Sequence, residues 1–166
     1  LMLPVASDGT PLEKFFPRSE WKYTVSSRKS NIQHFYTFVS PRLRAVHPSN
    51  FVRIAPDVAS EQGIRSGDKV KVTTPYGAQV GEAFVTDGVA SGVISIEHGF
   101  GHDEFGIRTH IVDGKPAFGI ANLEKGVNHN KLGLLDPKRN GEFSLNDWLV
   151  GTCARQALPA KIRKIG

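Results

Sequence analysis

The chain has one cysteine, Cys153, in 166 residues, so it can form no internal disulfide and cannot by itself hold an iron-sulfur cluster. No side chains are placed as a catalytic dyad. Cys153 has neither a histidine nor an acid beside it and is expected to be a small packed residue, not a nucleophile. No apolar run approaches the length of a membrane span, and residues 1–6 are too short for a signal peptide and lack its charged start. Helices of about ten residues do not fit between the short strands described below, so parallel βαβ winding is not expected. The first residue is Leu1, not methionine, and the chain is expected to be a piece of a larger protein. Residues 1–20, broken by Pro4, Gly9, Pro11 and Pro17, read as an irregular arm or linker from a preceding domain.

What is present is concentrated in residues 48–102, where pattern, turns and caps agree. Residues 51–54 alternate apolar with polar. Pro56 then suits the first position of a helix, Asp57 favours its positive end, and Gly63 stands where a left-handed cap is needed, which gives about two helical turns over residues 57–62. Beyond Gly63 the period becomes two: Val70 and Val72 face one way, Lys69 and Lys71 the other. Thr74-Pro75-Tyr76-Gly77 is a turn, and residues 80–86 and 93–98 supply two further strands. These strands should pair antiparallel or cross over by loops, forming a small barrel or sandwich.

The flanks add to this. Trp21, Tyr23 and Val25 alternate with Lys22, Thr24 and Ser26 as a first strand, and residues 158–163 form a closing strand with an edge proline. Residues 109–118 read as a hairpin around Asp113-Gly114 that packs on another domain or subunit. Residues 143–149 read as a short helix capped by Ser144. Arg42 and Arg44, one position apart in an extended segment, would share a face. The net charge of +5 is uneven, at +4 over residues 1–50, −3 over 51–150 and +4 over 151–166, so the two ends would make a basic rim if they meet.

Directly after the first strand come Arg28, Lys29, Ser30 and Asn31, four donors in a row with two positive charges, the chemistry that a diphosphate requires. His98 and His102 are four apart, but Gly99 and Gly101 between them argue against one helical face, and no third ligand follows, so zinc is discounted. The same glycines lack the spacing of a dinucleotide fingerprint.

The run Val52-Arg53-Ile54-Ala55-Pro56-Asp57-Val58-Ala59, with Gly63-Ile64, Gly67-Asp68-Lys69-Val70, Gly77, Val85-Thr86 and Gly92-Val93, closely resembles the C-terminal domain of the dimethyl sulfoxide reductase family of molybdenum oxidoreductases. The resemblance extends over residues 22–165 and looks strongest toward tetrathionate-reducing catalytic subunits. It implies a mainly β fold, a double-psi β-barrel of the aspartate-decarboxylase-like kind with short helices and loop insertions, occupying residues 21–166. It also implies a cofactor, bis-molybdopterin guanine dinucleotide with molybdenum, that this domain cradles but does not need in order to fold.

Residue by residue, Ser26-Ser27-Arg28 and His34 stand where the family has a cofactor-touching Thr-Gly-Arg-like triplet and a later histidine, with Ser27 in place of the glycine. Asn130-Lys131-Leu132, followed by Asp136-Pro137, resembles the family's cofactor-contacting Asn-x-Leu; an amide offers the donor and acceptor that a guanine or pterin edge needs. By the same resemblance His98 lies near the pterin without ligating metal, and Arg155 adds charge near the cofactor. The molybdenum-ligand motif is missing, so the piece alone is expected to be inactive. The parent would reduce tetrathionate to thiosulfate, or a related sulfur or arsenic oxyanion, in anaerobic respiration. It would work with its remaining domains, a membrane anchor and an iron-sulfur electron-transfer subunit, in an extracytoplasmic, periplasmic complex. The rival reading is a basic β-barrel that binds nucleic acid, resting on Trp21, Tyr23, Phe35, Tyr36 and Phe38 among cationic residues.

Overall fold

The computed structural model describes residues 5–33, 37–103, 107, 110–117, 123–146 and 151–166. Among them the strands are β1 (Tyr23–Arg28), β2 (Val52–Ile54), β3 (Lys69–Thr74), β4 (Gly77–Val85), β5 (Val93–Glu97), β6 (His110–Val112), β7 (Lys115–Ala117) and β8 (Leu158–Lys164). Two α-helices, α1 (Pro41–Val46) and α2 (Pro56–Glu61), and 3₁₀ turns at Leu12–Lys14, His129–Leu132 and Pro137–Arg139 complete the described elements.

Alternation along the strands builds the core. Val25, Val52, Ile54, Val70, Val72, Ile94, Ile96, Leu158 and Ala160 are fully buried, while their strand neighbours, Glu97 excepted, are more exposed. Each large aliphatic side chain so placed contributes about 1.5–3 kcal/mol. The strands close into a barrel in the order β1-β5-β2-β4-β3-β8, and β6 and β7 form a separate hairpin. This is the mainly β, double-psi type of barrel implied by the resemblance. Two pairings are parallel, β1 with β5 and β2 with β4, and the other barrel pairings are antiparallel. The helices between them have six residues each, too short for βαβ crossovers, so the parallel partners are reached through loops and intervening strands.

Helix α2 begins at Pro56, and Gly63 follows it at φ +61°, the left-handed conformation expected there. Ahead of β1, Ala6 and Leu12 are buried in the core, which seats the proline-rich arm on the barrel. No described helix is long and apolar enough to cross a membrane.

Three expectations are corrected. Arg42 and Arg44 lie on helix α1, because Pro41 after Ser40 opens a turn; Arg42 faces solvent, whereas Arg44 is buried, with 2 % exposure. Ser144 caps no helix: it pairs in an isolated bridge with Leu135, and Asn146 pairs with Cys153, while residues 147–149 of the expected helix lie outside the described residues. Cys153 is exposed, not packed.

Candidate functional site

Strands β1 and β5 end side by side, with Arg28 opposite Glu97 in their parallel register, and the His98 amide donates to the Arg28 carbonyl at 3.2 Å. The loops that follow them therefore leave the barrel at one end. The loop before β8 is drawn to the same place: Gln156 Nε2 donates to the Ser27 carbonyl at 3.1 Å and to Ser27 Oγ at 2.9 Å, and the Ala157 amide donates to Ser26 Oγ at 3.2 Å. The first and last parts of the chain thus meet, which satisfies the condition for a basic rim.

A fourth segment, residues 123–132, is pinned against these loops. Asn50, buried, accepts from the Val127 amide at 2.7 Å and donates to the carbonyls of Val127 and Glu97. Gly101 takes φ +67° and approaches so closely that a Cβ there would stand 2.5 Å from the Asn128 nitrogen. Gly77, at the start of β4, likewise leaves no room: its Cβ would fall 2.0 Å from the Lys131 carbonyl oxygen. Within the segment the Asn128 side chain caps the turn by accepting from the Asn130 amide at 3.1 Å.

Between this turn and the loop before β8 opens a cleft of about 280 Å³, lined by His129, Asn130, Leu145, Cys153, Arg155 and Leu158 among others. A second pocket, of about 20 Å³ under Leu12, Phe16 and Trp21, is too small for more than a water. His129 is 3 % exposed, and its Nε2 has no hydrogen-bond partner. Burial, then His98, then Arg155 push its pKa down to about 4. His98 stands beside it with Nδ1 buried and unbonded, and burial, Arg155 and Lys29 lower its pKa too. His129 and His98 are thus neutral near pH 7, and among the described residues the cations that lower them are Arg155, for both, and Lys29, for His98. Such a site wants an anion with acceptor oxygens, and its unbonded imidazole nitrogens want polar partners. The phosphates of a dinucleotide satisfy both requirements.

Two buried charges brace the surrounding loops, and the sequence pattern marks neither as buried. Glu97, 3 % exposed, receives His47 Nε2 at 2.7 Å, Arg28 at 3.3 Å and Arg53 at 3.8 Å. Arg44 donates Nε to the Phe38 carbonyl and a terminal nitrogen to the Gly99 carbonyl, each at 2.8 Å, and lies 4.6 Å from the Phe100 ring centroid. Burial lowers its pKa to about 10, so it stays charged. Arg44 thereby ties the chain after β1 to the loop after β5.

Of the residues expected at the site, Asn130 and Arg155 line the cleft beside His129, His98 acts on His129 and Lys29 on His98 electrostatically, and Ser27 is tied to the neighbour of Arg155. Arg28 turns to Glu97 instead. Ser30 closes its own loop, its Oγ accepting from the Ile32 and Gln33 amides at 3.1 and 3.2 Å, and Asn31 is exposed. Lys131 pairs with Asp103 and Leu132 is buried, which leaves Asn130 as the member of its triplet that faces the cleft. His34 lies outside the described residues. Sequence reasoning misses His129, although its place between two asparagines next to an expected contact is a usable signal.

Comparison with known proteins agrees with this geometry. The family model described as "Molydopterin dinucleotide binding domain" matches residues 23–139. The chain is 40 % identical over 159 residues, 96 % of its length, to a tetrathionate reductase subunit from Salmonella typhimurium, and 37 % identical over 98 residues, 56 % of its length, to the corresponding tetrathionate reductase subunit from Archaeoglobus fulgidus. It is 27 % identical over 134 residues to a selenate reductase subunit from Mesobacillus selenatarsenatis. The matched regions are 16 %, 8 % and 13 % of those proteins, so the chain spans a small part of their length. Among solved structures, acetylene hydratase from Pelobacter acetylenicus shares the fold, with a TM-score of 0.58 over 99 % of this chain and 21 % of that one, at 18 % identity. A model match over most of the chain, joined to a cationic cleft at the mouth of the barrel, places it in a family: the chain belongs to the molybdopterin dinucleotide-binding domains of the dimethyl sulfoxide reductase family of molybdenum oxidoreductases.

Proposed function

We propose that this domain holds the dinucleotide arm of bis-molybdopterin guanine dinucleotide within a larger subunit that reduces tetrathionate to thiosulfate, or a related oxyanion of sulfur, selenium or arsenic. The observation that carries the reading is the cleft lined by Asn130, Arg155 and the buried His129, whose Nε2 has no partner, with His98 and, through it, Lys29 acting on it electrostatically. When bound, the cofactor's molybdenum centre supplies two-electron redox chemistry. The residues here bind and orient: Lys29 and Arg155 attract the phosphates, Asn130 offers a donor and an acceptor to a ring edge, and the closed barrel keeps these groups in fixed relation. Ser27 is tied to this loop through Gln156, and Arg28, Ser30, Asn31 and His34 are assigned to the same site by the family resemblance alone. The names of the tetrathionate and selenate reductase relatives support the substrate class. A membrane anchor, an extracytoplasmic compartment and an iron-sulfur partner fit a respiratory reductase of this kind.

The burial of aromatic residues weighs against nucleic-acid binding. Tyr23 is in the core, Trp21 packs edge-on against Phe16 beneath Lys161, and Phe38 stacks on His102, so these rings offer no open platform; Phe35 and Tyr36 lie outside the described residues. Amide NMR during titration with GDP and with a single-stranded oligonucleotide separates the readings. Shifts at His98, His129, Asn130 and Arg155 with GDP are expected. Salt-sensitive oligonucleotide binding with no response to GDP would overturn the cofactor reading.

A further inference from the structure

We propose that His129 is a direct contact for the diphosphate in this cleft and that it takes up a proton as the ligand binds. This rests on the reading of the cleft as a dinucleotide site and assigns it a residue outside the expected triplet. His129 is held in place by its flanks: Asn128 caps the turn, and Leu132 and Val127 are fully buried on either side. Its ring lines the cleft with Nε2 unbonded, at 3 % exposure, so the nitrogen has given up water without gaining a protein partner. A buried polar atom of this kind calls for a ligand atom.

The groups that face it explain why the ring is neutral when the cleft holds no anion. His98 follows β5, Arg155 and Cys153 precede β8, and Lys29, beyond β1, acts through His98. On its own turn Lys131 is engaged by Asp103. Asp147 lies outside the described residues. Burial, His98 and Arg155 together hold His129 at about 4, below its ordinary value of 6.5. A diphosphate opposes the Arg155 charge and gives the imidazolium an acceptor, so it raises that pKa. Between the free and the bound pKa the complex binds one more proton than its components. Binding then tightens as pH falls through the bound value, by up to tenfold per pH unit, and is insensitive to pH above it.

The test uses this chain and GDP-mannose, whose diphosphate has no group that titrates between about pH 5 and 8. Histidine ring NMR of the wild-type chain, with and without GDP-mannose, reads the His129 pKa directly. Calorimetry at pH 5.5 in two buffers of different ionisation enthalpy counts the protons. An upward shift of the His129 titration by at least one pH unit is expected, with a proton uptake at pH 5.5 equal to the difference between the bound and free His129 titration curves at that pH. The uptake should be lost in His129→Gln and kept in His110→Gln, on the separate β6–β7 hairpin. GDP-mannose binding with an unmoved His129, or uptake that persists in His129→Gln, overturns the proposal and leaves the cleft reading standing. Failure of the wild-type chain to bind GDP-mannose overturns the cleft reading itself. The wild-type ring titration needs no variant to fold.

Discussion

Asn50 and Val127 are joined twice: the Asn50 side-chain oxygen accepts from the Val127 amide at 2.7 Å, and its nitrogen donates to the Val127 carbonyl at 3.0 Å. The same nitrogen also reaches the Glu97 carbonyl, so one buried amide fastens the segment carrying His129 and Asn130 to the end of β5. Gly126 makes room for it, since a Cβ there would lie 2.4 Å from Asn50 Oδ1. Replacing Asn50 with alanine leaves these backbone groups without partners in the interior and should cost about 2–3 kcal/mol. A fall in the urea midpoint at unchanged slope, together with weaker GDP binding, is the expected outcome.

Buried Glu97 is the acceptor shared by His47, Arg28 and Arg53, the two arginines being partly exposed. Removing the carboxylate takes away these hydrogen-bonded partners at once, and Glu97→Ala should lose about 1–3 kcal/mol in equilibrium denaturation. Glu97→Gln keeps the shape and part of the hydrogen bonding and should lose less. Equal losses for the two would mean that packing matters here and charge does not.

His129 makes stability depend on pH. Its folded pKa of about 4 lies below the ordinary 6.5, so between these values the unfolded chain binds the extra proton. Its neutral burial therefore supports the fold above pH 6.5, and that support is lost as pH falls toward 4, by on the order of 3 kcal/mol across the window. Denaturation midpoints measured from pH 7 to pH 4 should fall more steeply for the wild-type chain than for His129→Gln.

Gly77 is where β4 meets the 3₁₀ turn His129–Leu132. Gly77→Ala places a carbon 2.0 Å from the Lys131 carbonyl oxygen and must move either the strand or the turn. A loss of about 1–3 kcal/mol is expected from such overpacking, with amide shifts reaching Asn130. Gly88→Ala, whose nearest contact is Thr86 Oγ1 at 3.4 Å, is the control and should be close to neutral.

Arg44 cannot be exchanged for lysine without loss. Its fork serves the Phe38 and Gly99 carbonyls at once while the plane lies over Phe100. Lysine offers a point charge and no fork, so Arg44→Lys should still destabilise by about 1–3 kcal/mol, read from thermal and urea unfolding.

The strands are legible because valine and isoleucine alternate with polar residues along β3 and β5, and α2 because Pro56 and Gly63 mark its ends. Pairing direction is not legible. Nothing local distinguishes β1 alongside β5 from β1 opposed to it; the pattern reaches a small barrel or sandwich, and the double-psi barrel comes from family resemblance. Helix α1 is hidden by its length, one and a half turns, in which Arg42 and Arg44 read as readily in an extended pattern. Ser144 followed by apolar residues mimics a cap, but pairing with Leu135 overrides that local preference. At the cleft, the charged and amide residues announce themselves by type. Asn50, Glu97 and Arg44 do not, because their roles depend on burial that only the closed barrel creates. Glu97 in particular breaks the alternation, following the buried Ile96 inward.

Strand β8 pairs with β1 on one side and β3 on the other. During synthesis, therefore, a nascent chain that has not yet emerged as far as residue 158 carries two open sheet edges, each a template for wrong partners. The loop bearing Arg155 cannot take its place until that last seam is zipped. Cofactor loading is thus an event that follows translation of the whole domain, and truncation inside β8 should yield aggregation-prone protein in place of a smaller working barrel.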